Sequence, residues 1–155
     1  MSDYCTVFAR GGDFTELLGK LRRYPLADVD VTGPDDAWTK LVLRTSDAML
    51  TLNILRWTGG GDQCSRLILG AITFFRRVQP PDGAIRERVL THLRQCRVVV
   101  GVVGEPSFSD ENGLNDMVMD TAELLDGLIF NGRAMFDATG RLLLDSDGAS
   151  EVRAA

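Results

Sequence analysis

The run "RVVVGVVG", residues 97–104, constrains this chain more than any other stretch. Its valines carry β-branched side chains, which suit a strand, and its length is that of one strand. Successive strand side chains point to opposite faces, so a run that is apolar at nearly every position belongs at the centre of a sheet covered on both sides. Helices with apolar stripes must therefore be found elsewhere in the sequence to cover it.

Such stripes are present. Phe14, Leu17, Leu18 and Leu21 keep helical spacing behind Asp13, which with Glu16 resembles a capping box, and Pro25 ends that segment. From Asp62 onward Cys64, Leu67, Ile68, Ala71, Ile72, Phe75 and Val78 form a wide apolar stripe. Asp82 is placed to cap a further helix with Ile85, Val89, Leu93 and Cys96 inward. Leu114, Met117, Val118, Thr121, Leu124 and Leu125 mark a fourth helix, with Gly127 placed to stop it.

Between these stripes the period falls to two. "WTKLVLRT" and "AMLTLNILRW" alternate apolar and polar residues around a tight turn at Ser46 and Asp47, as in a hairpin with one wet face. Asn131 and Gly132 suit a type I′ turn, and Gly140 suits a three-residue loop, so the C-terminal segments read as a meander. The order is β α (β) β β α α β α β β β. It implies an α+β fold with a mainly antiparallel sheet of six or seven strands, near 4–10, 38–45, 48–57, 97–104, 128–131, 133–137 and 141–145. Amphipathic helices cover that sheet. The 155-residue length suits a single compact domain, assigned to 1–148, with 149–155 as a flexible C-terminal tail.

Composition narrows the function classes. Apolar residues make up 45% and charged residues 25% of the chain, as in ordinary globular proteins. No apolar run approaches the ~18 residues of a membrane span, and the N-terminus lacks a signal-peptide pattern, so a cytoplasmic protein without membrane contact is expected. Three cysteines, Cys5, Cys64 and Cys96, show no CxxC spacing and read as buried thiols. The net charge of -5 is unevenly spread. Residues 62–97 carry seven arginines against Asp62, Asp82 and Glu87, whereas 98–150 carry ten acids against Arg133 and Arg141. Two oppositely charged surfaces would follow if sequence neighbours stay together in space.

Few residues suggest chemistry. "RWTGGGDQCS" joins a strand to a helix through three glycines, the context of an anion site at a helix N-terminus, with Gly60, Gly61 and Arg66 as its candidates. It lacks the lysine and hydroxyl of a phosphate loop and the spacing of a dinucleotide loop, so a joint is the simpler reading. Glu105, at the carboxyl end of the valine run, is a candidate acid beside a crevice. His92 is the only histidine, one helical turn before Cys96, which is too little for a zinc site or a triad. Asp116, Asp120 and Glu123 line one side of the fourth helix, where they could hold a cation, contact a basic partner or be merely solvated, and no tight loop of oxygen ligands favours the cation.

No catalytic residue, metal site or cofactor is assigned from these patterns. The favoured expectation is a non-enzymatic interaction or regulatory protein, of immunity, antitoxin-like or adaptor type, whose acidic surface meets a basic protein. A second copy of the chain is another candidate partner, and nucleic acid is not expected because the arginine run lacks an aromatic platform. The alternative is a small-molecule-binding domain or atypical enzyme, with a pocket near Glu105 and the Gly59–Gly61 joint.

Overall fold

A computed structural model describes residues 2–151. Its elements are β1 (Asp3–Ala9), α1 (Phe14–Arg22), β2 (Asp28–Thr32), β3 (Lys40–Arg44), β4 (Met49–Arg56), α2 (Gln63–Arg76), α3 (Gly83–Gln95), β5 (Val98–Glu105), α4 (Leu114–Leu124), β6 (Gly127–Phe130), β7 (Ala134–Phe136) and β8 (Leu142–Asp145). The fold is α+β: one eight-stranded sheet, ordered β2-β3-β4-β5-β1-β6-β7-β8, with every pairing antiparallel.

The valine run becomes β5, near the middle of the sheet between β4 and β1. Its alternation divides the core in two. Val98, Val100 and Val102 join Leu41, Leu43, Leu50 and Leu52 beneath α1 and α4, while Val99 joins Phe8 beneath α2 and α3. The molecule is thus three layers, with a helix pair on each side of the sheet. Trp38, fully buried in the first layer, meets Phe14 edge-on at 5.6 Å and donates its Nε1–H to Phe14 O at 3.0 Å. That bond satisfies the only polar atom of a large buried ring.

Helix starts follow the acidic caps. Asp13 accepts from Glu16 N, Asp62 from Ser65 N and Asp82 from Ala84 N.

The structure corrects the sequence reading at four places. A strand left out of the assigned sheet segments, β2, pairs with β3 at the edge. Leu67 does not join the α2 stripe and is 42% exposed. Asp126, at φ 54, ends α4 in place of Gly127, which already belongs to β6. The β6–β7 turn is not type I′: only Gly132 has a positive φ, and Asn131 instead accepts from Arg133 N and Ala134 N through its side chain. In the segment assigned as a tail, Ala149 N–H donates to Asp145 Oδ1 and Glu151 N–H donates to Leu142 O, while 152–155 lie outside the described residues.

No helix among the described residues is long and apolar enough to cross a membrane.

Candidate functional site

The glycine joint is built around Asp62. Its carboxylate accepts from Thr58 N at 2.7 Å, Thr58 Oγ1 at 2.9 Å and Ser65 N at 2.7 Å. Ser65 Oγ in turn accepts from Gly61 N at 2.9 Å and donates to Asp62 O at 3.0 Å. The backbone N–H donors hold Asp62 well below the usual carboxylate range. A ligand anion would compete for the same donors with a fixed negative charge, so an anion site on the first turn of α2 is occupied by the chain itself. Of the three glycines only Gly61, at φ +91, needs glycine's left-handed freedom.

The chain entering this joint from β4 splits two side chains between the layers. Arg56, the last residue of β4, lies over the Phe14 ring at 4.3 Å on the α1 side, where its Nη2 is buried without an acceptor among the described residues. Trp57 turns the other way. Its N–H donates to Arg97 O at 2.8 Å, and its ring carries the Arg97 guanidinium 4.3 Å from its centroid. Arg97 Nη1 donates to Cys96 O at 2.7 Å and Arg94 O at 3.3 Å, carbonyls at the C-terminal end of α3 where a cation is favoured. Indole, guanidinium and helix end thus fix one another.

Beside them runs a groove of about 370 Å³ between α2 and α3. Ile68, Leu69, Ile72 and Cys96 give it an apolar lining, Gly60 and Gly61 form one end, and Arg94 and Arg97 line it with Trp57. Trp57 is 41% and Leu69 59% exposed. Among the described residues the lining holds neither carboxylate nor imidazole, and burial pushes the Cys96 thiol up to about 12, so these residues offer binding groups without an acid, base or thiolate.

Gly60 and Gly61 are therefore the candidates that line a concavity. Arg66 lies outside that lining, turned back with its Nε 3.4 Å from Asp62 O. Glu105 is separated from them. It pairs with Met49 at one end of β4 and β5, whereas Arg56 pairs with Val98 at the other. Seven strand residues put about 23 Å between those ends, so the expected pocket shared by Glu105 and the joint does not form.

The carboxylates of α4 also diverge. Asp116 and Glu123 are exposed, but Asp120 is drawn onto α1, where it pairs with Lys20 Nζ at 3.0 Å and accepts from Tyr24 Oη. His92 and Cys96 do not form a catalytic couple: His92 Nε2 bonds to Phe8 O at 2.8 Å and Cys96 Sγ donates to His92 O at 3.2 Å. No group of three or more metal-ligating side chains gathers among the described residues. A larger crease, about 500 Å³, lies between α3 and the β1 and β6 ends. Its charges oppose one another, with Arg10 bidentate on Asp126 at 2.9 and 3.0 Å and Glu87 beside Arg88.

Sequence reasoning missed Trp57 and Leu69. The available signal was Leu69 itself, an apolar residue outside the α2 stripe on a helix whose other outward positions are largely arginine, threonine and glycine. Comparison with protein-family models, curated proteins and solved structures finds no match to the chain.

Proposed function

We propose that the chain is a non-enzymatic interaction module and that the groove beside the glycine joint is its partner surface. The observation that carries this reading is the exposure of Trp57 and Leu69 together along an apolar concavity next to Arg94, which has no acidic partner among the described residues. Tryptophan, arginine and a pocket form the usual composition of a binding hot spot. The acidic side of α4 is the second candidate surface, supported by exposed Asp116 and Glu123 and weakened by the engagement of Asp120 with α1.

The two surfaces are separated by recovering partners from source-cell extract with the native chain, with Leu69→Asp, and with Asp116→Asn/Glu123→Gln. Loss of a partner with Leu69→Asp alone is the expected result. Loss only with the amide pair moves the surface to α4 and to a basic partner. Equal recovery with all three forms removes both surfaces and turns attention to a small ligand, for which 370 Å³ is large enough.

A further inference from the structure

Resting on that reading, we infer that the groove takes a peptide segment of a partner protein in which an apolar anchor is flanked by carboxylates. The apolar part is set by the lining. Ile68 and Ile72 are buried beneath it, while Leu69 stands at its rim with most of its side chain in water. A small molecule seated in the groove would leave that rim wet, whereas a peptide crossing it covers Leu69 and Trp57 together.

The carboxylates are set by charge. Arg94 and Arg97 face the groove, and Asp62, the acid nearest the joint, already accepts three hydrogen bonds of its own loop. Residues 62–97 contain no acids besides Asp62, Asp82 and Glu87 against seven arginines. Arg97 spends Nη1 on two carbonyls, which leaves the rest of its fork and all of Arg94 for a partner carboxylate. Nucleic acid fits less well, because the Arg97 guanidinium covers one face of Trp57 and the lining is aliphatic, without a further ring for bases to stack on.

The test is selection of a random dodecapeptide library on the full chain, with Leu69→Asp and Arg94→Glu as parallel targets. Both positions are exposed, and thermal melts of each variant establish that it is folded. The expected result is enriched peptides pairing leucine, isoleucine or aromatic residues with Asp or Glu. Their affinity should fall about tenfold or more in each variant and weaken as salt is raised. Enriched peptides that need Leu69 but show no acidic bias, or bind Arg94→Glu equally well, overturn the charge assignment and leave the partner surface standing. Failure to enrich peptides above the Leu69→Asp background overturns the peptide assignment; laurate and oligodeoxythymidine, titrated against the native chain and Leu69→Asp, then report a lipid-like or nucleic-acid occupant. Should the extract partner also ignore Leu69→Asp, the partner surface falls with it.

Discussion

His92 shows how a buried group in one position shapes the response of the whole chain to pH. The residue is 7% exposed, and because a carbonyl can only accept, Nε2 must carry the proton in its bond to Phe8 O. Burial pushes its proton affinity below the usual histidine value, with Arg10 and Arg88 adding to the effect. The unfolded chain therefore takes up a proton before the folded one does. Stability should be full above about pH 6.5 and decline as pH falls toward the lower folded value. As His92 is the only histidine, urea midpoints between pH 7 and 5.5 isolate it, and His92→Gln should flatten the slope while lowering the midpoint at pH 7. An equal slope in both proteins would show that the ring is not held neutral. The i, i+4 spacing of His92 and Cys96 is legible in the sequence, but its outcome is not. Cys96 finds the His92 carbonyl within its own helix, but the carbonyl that His92 finds belongs to β1, more than eighty residues away.

Elements were legible where one period dominates and obscure where two constraints meet. "DVDVT" alternates correctly, yet two of its five residues are aspartates, which strands disfavour, and at the sheet edge both face water. The left-handed residue after α4 is Asp126, and Gly127 meets a packing need instead: a Cβ there would stand 2.6 Å from Val7 Cγ1. The same close approach decides which glycines matter in the connections. Gly12, between β1 and α1, has φ +132, and an added Cβ would lie 2.3 Å from Leu124 O and 2.5 Å from Leu125 Cα. Gly12→Ala is expected to cost about 3 kcal/mol or more, since both the conformation and the backbone contact are lost. Gly60 is the counterpart, with ordinary φ and nothing within 4 Å of its added Cβ, so Gly60→Ala should be neutral or stabilise by up to about 1 kcal/mol. Denaturant midpoints of the two variants check the contrast. A large loss at Gly60 would mean that the joint must flex within the folded state.

At the scale of the molecule, the charge pattern of the sequence is only partly a pattern of the surface. Acids of the C-terminal third are largely spent on local structure. Asp137 caps the turn to Arg141, Asp145 binds the N–H groups of Asp147 and Ala149, Asp147 pairs with Arg133, and Asp126 with Arg10. Linear counting cannot register this, because a carboxylate closing a turn looks the same in sequence as one facing solvent. Asp116 and Glu123 are what remains of the α4 side. Replacing both by amides should change stability by no more than about 0.5 kcal/mol, because exposed charges contribute little, and a thermal melt that drops by several degrees would place them in a structural network instead.

The two tryptophans stand in opposite environments, Trp38 at 0% exposure within the α1 layer and Trp57 at 41% beside the groove. Their emission should separate by wavelength, blue for the sealed indole and red for the wetted one, and only the second should yield readily to a soluble quencher. The chain therefore carries an internal optical reference next to an optical sensor. Occupancy of the groove and integrity of the core could be read from a single unlabelled spectrum.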